Sequence, residues 1–213
     1  MNESKIADLL LENLPRQLVL GLREALFVGA ERAFKAAVSK NRGHRATALG
    51  FERYLQMNET IHEVFEANGC EPAKLRGNTI VEGKSGIFKI ARENYSDTRW
   101  KRLFQSKRKQ TLIEDNAAIE SIVQPDLFAE PGIVTRASVF FVSQFSGSLD
   151  VQPDAPLSIE LVVPSSDRKL WLFHEPIDVF LTRYDKVQAQ KDTAFSKFKA
   201  GVIKLDGSKE GPE

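Results

Sequence analysis

Residues 134–145 read VTRASVFFVSQF, and from this point the hydrophobic period of the chain is two. Residues 157–163 (LSIELVV) and 169–173 (KLWLF) repeat the pattern, rich in Val, Ile, Phe and Trp and separated by clusters of Gly, Pro, Ser and Asp. The three runs predict an antiparallel meander. Glu175-Pro176 then opens a helix whose Ile177, Phe180, Leu181, Tyr184 and Val187 share one face, suited to packing on that sheet. A short amphipathic piece with Phe195 and Phe198 follows, and the polar residues 207–213 read as a disordered tail.

Upstream of this region the period is helical. Pro15 marks a helix start, and from Gln17 to about Lys40 two apolar stripes recur, the first with Leu18, Leu22, Ala25 and Leu26 and the second with Leu20, Phe27, Phe34 and Val38. Small residues at Gly21, Ala25, Gly29 and Ala33 allow a second helix to approach closely. Asn41-Arg42-Gly43 breaks the pattern, and a second helix from about Arg45 to Asn68 is expected to bury Phe51, Tyr54, Leu55, Ile61, Val64 and Phe65, with Asn68-Gly69 as its stop. Two short strands, Thr79 to Glu82 and Ile87 to Arg92, are expected around a turn at Gly83-Lys84-Ser85-Gly86. Ser96 or Asp97 can cap a helix through Trp100, Leu103 and Phe104, and Ser106 can start another that turns Leu112, Ile113, Ala117, Ile119 and Ile122 inward. A loop with Pro125 and Pro131 spans 124–132.

The expected fold class is therefore α+β. A helical N-terminal region with a small β-hairpin precedes an antiparallel three- to four-stranded sheet covered by a C-terminal helix. The regions run 1–123 (basic and mainly helical), 133–206 (sheet plus helix) and 207–213 (tail), and the first two either form separate units or share one core. A chain of 213 residues with 42% hydrophobic and 28% charged residues can bury a core without metal or disulfide. Its single cysteine, Cys70, excludes an internal disulfide and any multi-cysteine zinc site. Glu3, Asp8 and Glu12 stand where a secretion signal would be basic, and no segment approaches roughly 20 apolar residues, so a cytoplasmic protein that does not enter the membrane is expected.

Charge is the strongest functional signal. Residues 1–110 hold 20 Lys/Arg against 13 Asp/Glu, and residues 111–213 hold 10 against 16, so +7 is followed by −6. The asymmetry fits an anionic partner for the first half, or two halves that attract each other. The densest basic stretch holds Arg99, Lys101, Arg102, Lys107, Arg108 and Lys109, interleaved with Trp100 and Phe104, which read as core anchors. A second cluster, Lys35, Lys40, Arg42, His44, Arg45 and Arg53, surrounds the break at Gly43, where the amides of the next helix N-terminus favour an anion. The leading expectation is a non-enzymatic nucleic-acid-binding protein of a bacterial or mobile-element type, with DNA ahead of RNA. It would contact phosphates through Arg42, Arg45, Arg99, Arg102, Lys107, Arg108 and Lys109.

Two rival readings rest on short motifs. Glu82-Gly83-Lys84 and Asp167-Arg168-Lys169 each set an acid two residues before a lysine, which resembles the metal-dependent nucleases of the PD-(D/E)xK type. In that reading Asp154 and Asp167 hold magnesium and Lys169 positions the attacking water. Gln124-Pro125-Asp126-Leu127-Phe128 resembles the linear motif by which bacterial replication and repair proteins dock on the sliding clamp. Gln124, Leu127 and Phe128 would then bind a protein partner. A weaker match, Gln17 to Leu22, lies in a helix expected to be buried. No HExxH, GxSxG, Walker A or GxGxxG pattern occurs, and His44, His62 and His174 are scattered, so no catalytic residue, cofactor or metal is assigned.

Overall fold

The computed structural model describes residues 3–77, 80–96, 104–123 and 134–192. The helix expected around Trp100 and Leu103, the 124–132 loop, the piece with Phe195 and Phe198, and the 207–213 tail lie outside these residues.

Helix α1 (Glu3–Asn13) has no counterpart in the sequence reading. Ile6, Ala7, Leu10 and Leu14 are fully buried and hold it to the core. Pro15 disfavours helical backbone at Leu14, and α2 (Arg16–Val38) starts directly after it. The Tyr184 hydroxyl donates to the freed carbonyl of Leu14 at 2.5 Å.

Helix α3 (Arg45–Ala67) returns along α2 with the small residues between them. A Cβ placed on Gly29 would lie 2.7 Å from the Met57 Cα, and the Thr60 hydroxyl donates to the Ala25 carbonyl at 2.8 Å. The buried stripe of α3 holds Leu49, Met57, Asn58, Thr60, Ile61 and Phe65. Phe51 and Leu55, expected inside, are 60% and 39% exposed. Phe51 is two residues beyond Leu49, roughly 200° round the helix, so α2 and the sheet cannot cover both.

The sheet has five strands in the order β1-β2-β3-β4-β5: β1 (Glu82–Ser85), β2 (Phe88–Ser96), β3 (Ala137–Phe145), β4 (Ser158–Pro164) and β5 (Trp171–Pro176). Strands β3, β4 and β5 form the expected antiparallel meander. The sheet as a whole is larger and mixed. The hairpin joins it through a parallel pairing of β2 with β3, from Phe88↔Ala137 to Ser96↔Phe145.

The hairpin turn also differs from expectation. It falls at Gly86-Ile87, with Gly86 at a φ of 53°, and Gly83 lies within β1 opposite Ile90. Gly83 serves close packing instead, since a Cβ there would meet the Phe65 ring at 2.6 Å. Pro176 ends β5, and α6 (Ile177–Asp192) starts after it.

Between β2 and β3 run α4 (Lys107–Glu114), N-capped by Ser106, and α5 (Ala117–Val123). Ala137, Val139, Phe141 and Phe145 of β3 face one core with α1, α2, α3 and α6. Phe140 and Val142 face the opposite side, covered by Leu112 and Ile113 of α4 and by Phe104, whose ring centre lies 4.8 Å from that of Phe140. Burial on both faces accounts for the near-continuous apolar run within ASVFFVSQF of β3. Each fully buried Val or Phe there contributes roughly 1.5–3 kcal/mol. Among the described residues no helix is long and apolar enough to cross a membrane.

Candidate nucleic-acid interface

The basic residues expected at the phosphate surface divide into two groups with different surroundings. Lys107, Arg108 and Lys109 open α4, while Arg99 and Arg102 lie outside the described residues. Arg108 makes a bidentate bond to Glu82 at 2.6 and 2.8 Å. The Lys109 ammonium sits against the Glu93 carboxylate, both side chains largely buried. Burial pushes the Glu93 carboxyl up, while Lys109 opposes the shift. Nearby, Lys89 and Arg136 share Asp115 at 3.0 and 3.1 Å. Glu82 and Glu93 of the sheet and Asp115 at the end of α4 thus pair with these cations, and among the described residues Lys107 is the one cation of α4 outside an ion pair. A count over 99–109 misses this because Glu82 and Glu93 belong to strands 26 and 16 residues earlier in the chain.

The tip of the α2–α3 pair has a different charge pattern. No acid occurs between Glu31 and Glu52. Lys35 and Arg32 turn back to Glu31 and Glu63, leaving Lys40, Arg42 and Arg45 without an ion pair among the described residues. A short 3-10 turn (Arg42–His44) presents Arg42, and Arg45 donates from Nε to the Lys40 carbonyl at 3.0 Å. No side chain caps the N-terminus of α3; the preceding 3-10 turn leads into it, the His44 amide donating to the Asn41 carbonyl and the Arg45 amide to that of Arg42. Leu149 and Asp150 of the β3–β4 connection border the same groove as Arg42 and Arg45.

The two groups lie on opposite sides of the sheet. Arg92 of β2 reaches α3, where it donates to Asn58 Oδ1 at 2.9 Å and to the Tyr54 carbonyl at 2.8 Å. Its neighbour Glu93 reaches Lys109 of α4. Successive strand residues point to opposite faces, so Arg42 and Arg45 do not share a strip with Lys107, Arg108 and Lys109.

The nuclease set does not assemble. Asp154 precedes β4 and Asp167 follows it, and a seven-residue strand spans roughly 20 Å. Asp167 belongs to a turn. It accepts from Ser165 Oγ at 2.7 Å and from the Lys169 amide at 3.0 Å, and these bonds hold its carboxyl down at about 2. Glu82 is engaged by Arg108, and Lys84 beside it is exposed. Among the described residues no three His, Cys, Asp or Glu side chains converge as a metal site. His62 and His174 lie 3.6 and 3.4 Å from Glu66 and Glu160. Cys70 is buried, which pushes its thiol up and away from a reactive thiolate. Gln124, Leu127 and Phe128 lie outside the described residues, and the Gln17–Leu22 match is part of α2 with Leu18, Val19 and Leu22 buried.

One arrangement was not foreseen. Arg53, which the sequence groups with the basic cluster around Gly43, lies over the Phe145 ring, its guanidinium carbon 3.7 Å from the ring centre, and donates to the Pro153 carbonyl at 2.5 Å. Its Nε is buried without a hydrogen-bond partner, as is Oδ1 of Asn94. Burial lowers the Arg53 guanidinium to about 10. Arg53, Asn94, Ser96, Ser146 and Gly147 line a cleft of about 580 Å³ at the carboxyl ends of the parallel strands β2 and β3. No local pattern announces it, because Arg53 and Phe145 meet only through the tertiary fold. In comparisons with known proteins, no family model, no curated protein and no solved structure matches this chain.

Proposed function

We propose that the protein binds nucleic acid without reacting on it, contacting phosphates through Lys40, Arg42 and Arg45 at the α2–α3 tip. The observation that carries this reading is that Lys40, Arg42 and Arg45 gather at the start of α3 with no ion pair among the described residues. Cations outside intramolecular ion pairs can release counterions from a polyanion, whereas Arg108 and Lys109 would first have to leave Glu82 and Glu93. Lys107, with Arg99 and Arg102 near it in sequence, is the secondary contact. Phosphate contacts carry no base readout, so affinity for DNA is expected without marked sequence preference. A cytoplasmic setting is part of the proposal, supported by the lone cysteine.

Fluorescence anisotropy with labelled duplex DNA, single-stranded DNA and RNA across a salt series tests the reading. Binding should weaken with salt, and replacing Lys40, Arg42 and Arg45 by Ala should lower the log–log slope by about 0.9 for each phosphate that is no longer neutralised. Arg108→Ala should leave the slope nearly unchanged, and added magnesium should leave the nucleic acid intact. Absence of binding to all three at low salt overturns the proposal.

A further inference from the structure

We propose that the cleft between α3 and the ends of β2 and β3 receives an oxyanion carried by a small ligand, a phosphate or a carboxylate, on Arg53 with Asn94 beside it. The site stands apart from the nucleic-acid reading, because Arg53 packs beneath the tip against Phe145 and not among the exposed cations.

Three features support it. First, the Arg53 guanidinium is half buried with a backbone carbonyl as its hydrogen-bond acceptor, and its Nε has no partner. A buried donor of this kind accounts for itself when an ion or ligand completes it. Burial lowers the guanidinium pKa, and among the described residues no ion pair compensates the charge. Its contact with the Phe145 ring, 3.7 Å from guanidinium carbon to ring centre, holds the group at the cleft wall.

Second, Asn94 lines the same cleft with its own unsatisfied atom. Its Nδ2 meets only the Met57 sulfur at 3.4 Å, so the amide can turn over at little cost and present Nδ2 as a donor. Behind it the buried Arg92 guanidinium donates to the Asn58 side chain and the Tyr54 carbonyl, with Glu93 as a compensating charge. Glu93 also borders the cleft, but its carboxylate turns to the opposite face and is taken by Lys109.

Third, the cleft lies at the carboxyl ends of two adjacent parallel strands, β2 and β3. Such a crevice, outside the carboxyl ends of parallel strands, is where open sheets hold ligands. Its volume of about 580 Å³ is in the range of small-molecule sites.

The test reads Nε directly. In the intact protein the Arg53 Nε–Hε NMR resonance, identified by its loss in Arg53→Lys, is followed during titration with inorganic phosphate and, separately, acetate against chloride of matched ionic strength. A saturable downfield shift with either anion supports the site, and the tighter of the two names the class. An Hε that moves with neither overturns it. Asn94→Asp places a carboxylate against the anion and should weaken binding by about tenfold or more. Gly147→Asp, where a side chain meets nothing within 4 Å, brings the same charge to the rim and serves if the first variant does not fold. Unchanged affinity in the folded variant overturns the assignment. Arg42→Ala with Arg45→Ala should leave the phosphate titration as it is, which separates this site from the nucleic-acid surface.

Discussion

Asn116 accepts, on its buried Oδ1, the backbone amide of Ser138 at 2.6 Å. Its Nδ2 donates to the Pro164 carbonyl at 2.8 Å, so one side chain at the break between α4 and α5 holds the start of β3 and the end of β4. Asn116→Ala strands two backbone groups away from water and should cost about 2–4 kcal/mol. Urea unfolding should show a lower midpoint with an unchanged slope.

Helix packing gives a paired outcome. Gly29→Ala forces a methyl group against the Met57 backbone and should destabilise by roughly 1–3 kcal/mol. Gly50→Ala, on α3 with nothing within 4 Å of the new group, should stabilise by roughly 0.5–1 kcal/mol through helix propensity alone. Thermal melts of the two variants should move in opposite directions.

Lys109→Met leaves the Glu93 carboxylate buried without its cation and should cost about 3–5 kcal/mol near neutral pH. The loss depends on pH. Burial raises the Glu93 carboxyl above its ordinary 4.5, so between 4.5 and the raised value the folded state holds the extra proton and stability falls as pH rises. Removing the ammonium widens that window. Denaturant titrations should therefore show a small difference from wild type below pH 4.5 and the full difference at neutrality, with Glu93→Gln restoring most of it.

Asp167 titrates in the opposite sense. Its carboxyl lies at about 2, below the ordinary 3.8, so the stabilisation it brings is present above 3.8 and is lost as pH falls toward 2. Carboxyl NMR shifts should give that midpoint. Ser165→Ala, which removes the first of its hydrogen-bond donors, should return it toward 3.8.

The α2–α3 pair was legible because Gly21, Ala25, Gly29 and Ala33 share one helical face, and spacing alone reports that face. The meander was legible from its alternating runs. What pairs with the second strand of the hairpin was not, since period two is equally compatible with a parallel or an antiparallel neighbour and says nothing of which strand supplies it. The same limit governs the charges. Lys107, Arg108 and Lys109 form a cationic run only until Glu82 and Glu93 arrive from the sheet, and Arg53 becomes a distinct site only once Phe145 lies beneath it. Phe51 and Leu55 failed for a simpler reason, that α3 has more apolar residues than its neighbours can cover.

The parallel pairing of β2 with β3 sets a clock on synthesis. Phe88 waits for Ala137, 49 residues later, before the inner edge of its strand has a partner. At about 5–20 residues per second, a nascent chain holds that edge open for roughly 2–10 s. An unpaired edge templates contact with other chains, so the interval between translating β2 and β3 is when a polysome of this protein is most prone to aggregate.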